Sequence, residues 1–299
     1  MSLLTPVKVP VKVYRSSDAS APLLDKNANC ITTILKACLV TGYGAKEGAG
    51  WTLAFEDLAT KTKVFNINSP TEPAIYLRLY NDTGQKMGVQ LASNAVDANT
   101  VTSIVECDTV FKYLGGITTG EWMVIASNKG FWFFAPVNAN AKPSNRSGVF
   151  LFAGIVPGTV SDAFVIKHTG GTYSDDDDDR FSIASRPGDA VLGFSAMSDG
   201  GMVAAAGYSV DNSKVKKGWF ERIVTGNDNQ SPIAIASPLY FFGMGDAYQL
   251  PIYAPSRHDL NNFDNAGTAN SLNMMNFCTS TQYQDAGSNT YIPTDFWVY

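Results

Sequence analysis

The chain has 299 residues, of which 45% are hydrophobic, and its 22 basic and 27 acidic residues give a net charge of −5. This hydrophobic content excludes a globally disordered chain, and the length is sufficient for one large domain with a buried core. Binding to nucleic acid requires a concentrated positive surface, whereas the densest basic stretch, residues 214–217, is short and is followed by Glu221. We therefore expect no direct contact with nucleic acid.

The first predicted element is a β-strand over residues 7–14, where valine alternates with lysine or proline. Pro10 has no N–H group to donate inside a sheet, which favours a strand at a sheet edge. We expect a neighbouring protein chain to add a strand to this edge. Alternation places four candidate interaction residues on one face of the strand: Val7, Val9, Val11 and Val13.

One amphipathic helix is predicted next. Asp25, Asn27 or Asn29 is expected to cap its N terminus, and Gly42 and Gly44 are expected to end it, since glycine accepts the left-handed conformation of helix exits. The helix is predicted to cover a β-sheet. Its apolar stripe consists of Ile31, Ile34, Leu35, Cys38 and Leu39.

From Trp51 onward, short apolar or alternating runs between Gly- and Asn-rich turns predict strands. The runs cover residues 51–55, 63–67, 74–80, 88–92, 121–127, 131–136, 149–156, 162–168, 180–184, 218–224 and 234–242, with a short strand near the C terminus. We therefore predict a mainly β (α+β) fold: an antiparallel, β-rich, sandwich-like domain with one N-terminal amphipathic helix packed on a sheet. Residues 1–299 form a single domain in this prediction, and the alternative divides the chain into 1–115 and 116–299.

The strongest hairpin prediction places two strands on either side of an Asn-Lys-Gly turn and concentrates aromatic residues there. Alternation sends Phe131 and Phe133 to one face of the second strand, and Trp132 and Phe134 to the other. A sheet that is wetted on one side would not carry large apolar groups on both faces. The hairpin is thus either buried in the core or in contact with another chain, and Trp122, Trp132 and Phe134 are further candidate interaction residues.

No sequence pattern indicates an active site. The chain has two histidines, His168 and His258, and lacks a Gly-x-Ser-x-Gly motif. The glycine-rich segment 42–50 follows the predicted helix, whereas phosphate-binding loops precede one. We therefore predict no catalytic residue, no cofactor and no metal site.

Three further features are interpreted from composition. The aspartate run at residues 175–179 is predicted to be an exposed loop, with binding of a cation or of a basic neighbouring subunit as alternatives. The four cysteines form no Cys-x-x-Cys pair, and we expect all of them to be reduced. No signal peptide and no run of roughly 20 apolar residues is present, so we expect synthesis in a cytoplasm and no membrane span.

A series of short motifs runs through nearly the whole chain. The motifs are Val11-Lys12-Val13-Tyr14, Ser17-Asp18-Ala19, Cys38-Leu39-Val40-Thr41-Gly42-Tyr43-Gly44, Gly50-Trp51, Ile75-Tyr76-Leu77-Arg78-Leu79, Trp122-Met123-Val124-Ile125, Val149-Phe150-Leu151-Phe152 and Leu250-Pro251-Ile252-Tyr253. In this order they resemble a family of virion structural proteins from tailed bacteriophages. The late motif of that family often reads Leu-Pro-Gly, and here Ile252 replaces the glycine.

The resemblance implies a particle component without enzymatic chemistry, synthesised in the host bacterial cytoplasm and located in the virion. It would assemble on the tail, neck or capsid surface through contacts with other virion proteins and with copies of itself, as a homo-oligomer. Two alternatives remain open: a receptor- or glycan-binding protein of the tail tip or fibre, and a cell-wall or capsule hydrolase.

Overall fold

The residues described by the computed structural model form a mainly β fold in which every pair of neighbouring strands is antiparallel. This confirms the predicted fold class. The described residues are 7–67, 74–83, 86–111, 119–135, 149–155, 162–168, 181–183, 193–194, 203–209, 214–221, 237–243, 246–254, 265–269, 272–279 and 288–299.

One helix, α1 (Cys30–Lys36), continues directly into a π-helical turn, Ala37–Thr41. The strands up to residue 135 are β1 (Lys8–Pro10), β2 (Lys12–Arg15), β3 (Leu24–Asp25), β4 (Thr52–Asp57), β5 (Thr62–Asn66), β6 (Tyr76–Tyr80), β7 (Lys86–Ala95), β8 (Val101–Phe111), β9 (Thr119–Gly120), β10 (Met123–Ala126) and β11 (Gly130–Ala135). The later strands are β12 (Val149–Ile155), β13 (Asp162–His168), β14 (Phe181–Ile183), β15 (Gly193–Phe194), β16 (Val203–Ser209), β17 (Lys214–Glu221), β18 (Ser237–Gly243), β19 (Asp246–Ala254), β20 (Asn265–Ala269), β21 (Leu272–Thr279), β22 (Ser288–Pro293) and β23 (Phe296–Val298).

These strands form two main sheets. The 5-stranded sheet is an antiparallel meander in chain order, from β4 to β8. The 14-stranded sheet runs in the order β2-β10-β11-β12-β13-β16-β17-β18-β19-β22-β21-β20, and β14 and β15 pair off this path beside β13. Two short ladders, β1 with β23 and β3 with β9, complete the described pairing.

The helix packs in the core between the two sheets, because its apolar stripe is wide and uninterrupted. All five predicted stripe residues are buried, and the π-helical turn contacts both β4 and β10. One hydrophobic cluster joins side chains of all three layers: Ile34, Leu35 and Leu39 of the helical segment, Phe65, Leu77 and Leu91 of the 5-stranded sheet, and Val124, Phe131 and Leu151 of the 14-stranded sheet. The prediction that the helix covers a sheet is confirmed.

The predicted strand over residues 7–14 is divided at Val11 into two strands that belong to different sheets. The alternation of buried and exposed side chains shifts by one residue at this point. The buried residue is odd-numbered in β1, Val9, and even-numbered in β2, Tyr14. The four valines therefore do not share one face. Val7 is 60% exposed, Val9 is buried, and the other two are half-buried.

Four long strands among the described residues were absent from the sequence-based prediction: β8, β16, β19 and β21. In β8, the polar residues Glu106 and Asp108 interrupt the apolar alternation, and pairing along the length of β7 organises the strand instead. The predicted hairpin is present as β10 and β11, and β12 with β13 and β6 with β7 are further antiparallel pairs of consecutive strands.

Four further sequence-based interpretations concern the cysteines, the aspartate run, the domain boundary and membrane spans. Cys30 and Cys38 are buried and reduced, as predicted, and burial raises the pKa of Cys38. The aspartate run at residues 175–179 and the alternative domain boundary between residues 115 and 116 lie outside the described residues. In the described part of the chain, no helix has the length and apolar character that a membrane crossing requires.

Candidate functional site

The predicted edge strand at the N terminus is paired with the C-terminal strand of the same chain. The N–H of Val7 donates to the carbonyl of Tyr299 at 2.7 Å, and the N–H of Tyr299 donates back to Val7 at 2.8 Å. The N–H of Val11 donates to the carbonyl of Asp295 at 3.1 Å. We call the paired segments 7–11 and 295–299, which contain β1 and β23, the terminal ladder.

Side chains on both faces hold the terminal ladder in place. Val9 lies opposite Trp297, and both side chains are buried. The indole N–H of Trp297 donates to the carbonyl of Pro293 at 3.2 Å, which satisfies its polar group inside the core. On the outer face, the ammonium of Lys8 lies 4.3 Å from the ring centroid of Phe296, a cation–π contact.

The second half of the N-terminal segment, β2, is a terminal strand of the 14-stranded sheet. The N–H of Ser16 donates to Trp122 at 3.0 Å, and Tyr14 lies opposite Val124 in β10. Because backbone groups alternate in direction along a strand, those of Val13 and Arg15 point away from β10. These two residues form the outer edge of the sheet.

Side chains occupy this outer edge. The ammonium of Lys46 donates to the carbonyl of Val13 at 2.8 Å, and the N–H of Arg15 donates to Asp18 Oδ2 at 2.7 Å. The same carboxylate oxygen accepts hydrogen bonds from Lys46 at 2.6 Å and from the Tyr43 hydroxyl at 2.7 Å. We call Asp18, Tyr43 and Lys46 the edge cluster.

The protonation of the edge cluster follows from its contacts. Burial acts to raise the pKa of Asp18, but the hydrogen bonds from Lys46 and Tyr43 outweigh it, so that the net pKa is lowered. Burial, together with the bond to Asp18, raises the pKa of Tyr43, so its hydroxyl keeps its proton. A carboxylate, a phenol and an ammonium in contact are suitable groups for acid–base chemistry. Asp18 and Lys46 also bind the backbone of β2, so both side chains contribute to the structure of this edge.

The turn after the helix positions Tyr43 and Lys46. The backbones of these two residues are paired by hydrogen bonds of 2.9 Å in both directions. Gly42 has a φ of +74°, and a Cβ at that position would collide with the carbonyl of Lys46. Gly42 thus ends the helical segment, as predicted, whereas Gly44 lies within the turn between Tyr43 and Lys46.

A second polar group, the buried network, lies beneath the N terminus of the helix. Asp82 Oδ2 accepts hydrogen bonds from the backbone N–H of Thr32 at 2.9 Å and from its hydroxyl at 3.0 Å. The ammonium of Lys63 donates to the Thr32 hydroxyl at 3.1 Å and lies 3.3 Å from Glu56. The Lys36 ammonium lies 2.6 Å from Glu56, and its hydrogen bond is the main reason that the pKa of Glu56 is lowered. The network joins the helix to β4, β5 and the end of β6.

The helix cap differs from the prediction. Asn29 occupies the N-cap position with a φ of 65°, but its side chain makes no capping hydrogen bond. Asp82, 50 residues along the chain from Thr32, accepts the N–H of the first turn instead. A local sequence pattern cannot reveal a cap that comes from a residue so far along the chain.

The three aromatic candidates lie inside the molecule. Trp122, Trp132 and Phe134 are each at most 2% exposed. The indole N–H of Trp122 donates to the carbonyl of Pro22 at 2.9 Å, and the Trp132 ring lies 4.7 Å from that of Phe152. Their burial agrees with the core alternative that the sequence left open for this hairpin.

Sequence reasoning missed the polar residues of the edge cluster and of the buried network, and it missed the role of Trp297. Asp18 and Lys46 are separated by a helix, and no pattern links them before the fold is known. Lys63 follows strand alternation onto the same face as Phe65, yet its charge suggested no core position. Trp297 lies in a strand too short for periodicity to be read, although four large side chains, from Phe296 to Tyr299, were a detectable signal.

Comparisons with protein-family models, curated proteins and solved structures find no match to this chain. In the part of the chain that the structure describes, no three His, Cys, Asp or Glu side chains are grouped to hold a metal ion. The function is therefore argued from the residues and their geometry.

Proposed function

We propose that the chain is a non-enzymatic structural component of a tailed bacteriophage particle. It assembles on the tail, neck or capsid surface through contacts with other virion proteins and with copies of itself. The observation that carries this proposal is the ordered series of motifs, which resembles virion structural proteins along nearly the whole chain. The antiparallel β architecture agrees with such a role.

Several motifs that carry the resemblance contribute residues to the N-terminal core. Their shared position in the core supports the interpretation that the motifs belong to one fold. Tyr14, Cys38 and Trp51 come from three different motifs, and all three side chains are buried in the same cluster. Gly42 ends the helical segment with a positive φ. The motifs therefore specify a scaffold, and contacts with partners fall to the residues that surround it.

The contacts of three charged side chains, Asp18, Asp82 and Lys46, support the proposal of a role without catalysis. The carboxylates of Asp18 and Asp82 accept backbone N–H groups, and the ammonium of Lys46 donates to a backbone carbonyl. Groups held in this way stabilise the fold. Many contacts between identical or different subunits would then provide the rigidity of the particle.

The terminal ladder is where we place a contact with a neighbour, and the exposed side chain there is Val7. Four large hydrophobic side chains of the described residues are strongly exposed: Val7, Leu23, Leu58 and Val96. Val7 alone of these belongs to the predicted edge strand. On the outer side of β1, Pro10 has no N–H to offer, so we expect side-chain packing at Val7 to provide the contact.

A matched pair of variants tests the proposal in particles. The pair consists of Val7→Asp and Val96→Asp. A substitution is preferred to deletion of the N-terminal residues, because deletion would also break the backbone hydrogen bonds to Tyr299. We expect Val7→Asp to lower incorporation into purified particles at least tenfold, and Val96→Asp, at an equally exposed valine, to have little effect. Quantitative mass spectrometry of the particles measures both. Incorporation of Val7→Asp at the wild-type level would contradict the contact at Val7. Absence of the wild-type chain from particles would refute the proposed function.

A further inference from the structure

The outer edge of β2 is a place where a sheet of this kind accepts another strand. Among the described strands, β2 and β20 terminate the 14-stranded sheet. Residues 7–11 of the N-terminal segment bond to β23, and the same side of the chain continues to Val13 and Arg15 without a strand partner in the described part. Unpaired edge groups of this type are a template for pairing with another chain.

The edge cluster imitates a neighbouring strand at these positions. The Lys46 ammonium takes the carbonyl of Val13 where the N–H of a strand would lie, and the Asp18 carboxylate accepts the N–H of Arg15 where a carbonyl would lie. The Tyr43 hydroxyl lies 3.2 Å from the Arg15 nitrogen. Hydrogen bonds to charged groups are stronger than those between amides, so an incoming strand would replace better bonds with weaker ones.

We propose that the edge cluster prevents a second copy of this chain from adding a strand to β2. A second copy is the relevant partner because, among the described strands, the same sheet ends at β20, so each copy carries two terminal strands of one sheet. Pairing of β2 in one copy with β20 in the next would be head-to-tail, and such contacts extend without limit unless a rotation closes them. Blocking one of the two edges stops this growth. The inference concerns the chain alone and does not depend on its role in a particle.

The first test compares two lysines that form equally short ion pairs. Lys46→Met removes the donor to the Val13 carbonyl. Lys36→Met breaks an ion pair of the same 2.6 Å length, with Glu56, which joins two side chains and not a strand backbone. We expect Lys46→Met to lower the dissociation constant for self-association at least tenfold, measured by sedimentation velocity over a concentration series. Lys36→Met and Lys46→Arg, which keeps a cationic donor, should behave as the wild-type chain does.

Two results would overturn the proposal: Lys46→Met sediments as the wild type does, or Lys36→Met associates to the same extent. If Lys46→Met does not fold, Asp18→Ala provides the second comparison, because it removes the shorter of the two hydrogen bonds made by the N–H of Arg15 and retains Lys46. Its control is Asp57→Ala, which removes a carboxylate that also accepts backbone N–H groups but lies at the β4–β5 turn. Association by both aspartate variants or by neither would refute the proposal, and association by Asp18→Ala alone supports it.

Discussion

At the scale of single residues, two buried polar side chains of the described residues, Asp82 and Lys63, have partners that are distant in sequence. Asp82 is fully buried and accepts two hydrogen bonds from Thr32, one of them from the backbone at the start of the helix. Lys63, 1% exposed, is paired with Thr32 and Glu56. Such contacts fix how the helix is oriented against the 5-stranded sheet, because a buried polar group that loses its partner is costly.

The substitution Asp82→Ala tests the role of the buried network. It leaves the Thr32 N–H without its acceptor, and we expect the free energy of unfolding to fall by about 2–3 kcal/mol. Urea denaturation measures this change. Asp97→Ala is the control, since Asp97 accepts two backbone N–H groups at an exposed turn, and its effect should be clearly smaller. Equal effects of the two substitutions would contradict a special role for Asp82.

Gly154 allows the close approach of β11 and β12. It lies opposite Gly130 with a φ of +154°, and a Cβ there would collide with Gly130 and with the carbonyl of Lys129. We expect Gly154→Ala to lower the free energy of unfolding by about 3 kcal/mol, since overpacking adds to backbone strain.

The control for this prediction is Gly50→Ala. Gly50 also has a positive φ, +101°, but the nearest atom to its Cβ position is 3.4 Å away. The control therefore carries the backbone strain without the collision, and about 1 kcal/mol is expected. Comparable losses in thermal or urea denaturation would show that the contact between the strands is not the cause.

Residue-scale contacts were predictable where periodicity specifies them. The stripe from Ile31 to Leu39 was recognised because five apolar positions recur at helical spacing, and all five are buried. Lys63, Asp82 and Trp297 were not recognised, because their roles depend on which elements become neighbours. No local pattern contains that information.

At the scale of elements, the terminal ladder joins the two ends of the described chain. Three backbone hydrogen bonds of 2.7 to 3.1 Å link Val7 and Val11 to the C-terminal segment. The prediction of a strand near residues 7–14 was right about its β conformation, whereas its division at Val11 and its pairing were not foreseen. Pairing between residues almost 300 apart in sequence leaves no local signal.

The substitution Trp297→Ala tests how the ladder is held. Removing a buried tryptophan is expected to lower the free energy of unfolding by about 3–5 kcal/mol. Because Trp297 packs opposite Val9, the amide of Val9 should also lose protection in hydrogen exchange. Phe296→Ala, at a half-buried position of the same strand, should have a smaller effect on both quantities. Unchanged Val9 protection in Trp297→Ala would contradict this account.

At the scale of the whole molecule, acid should destabilise the fold through its paired carboxylates. The pKa of Asp18 and of Glu56 is lowered in the folded chain from ordinary values of 3.8 and 4.5. The unfolded chain therefore binds more protons in this range, and the stability present above the ordinary values is lost as the pH falls through the folded values. Urea denaturation between pH 6 and pH 3 should show a declining free energy of unfolding.

Asp18→Asn provides the check on this assignment. The variant has no carboxylate at that site, so its free energy of unfolding should decline less between pH 6 and pH 3 than that of the wild-type chain. An identical decline in the two proteins would exclude Asp18 as a source of the acid sensitivity. A wild-type stability that rises as the pH falls would contradict the whole electrostatic account.

The whole-molecule architecture was predictable in class and not in arrangement. Frequent apolar runs between turns indicated antiparallel sheets, and the structure contains them. The order of the 14-stranded sheet, in which β2 lies beside β10 and β19 beside β22, depends on long-range pairing. The position of the helix between two sheets likewise followed from the shared core and from no single motif.

The central claim is that the chain acts by contacting other proteins within an assembled phage particle. The most direct measurement is a density map of the intact, purified phage particles that would contain the chain under this proposal. We predict repeated density that fits the mainly β fold, with Val7 of the terminal ladder against a neighbouring subunit. Particles that are complete and infectious but contain neither such density nor peptides of this chain would contradict the claim.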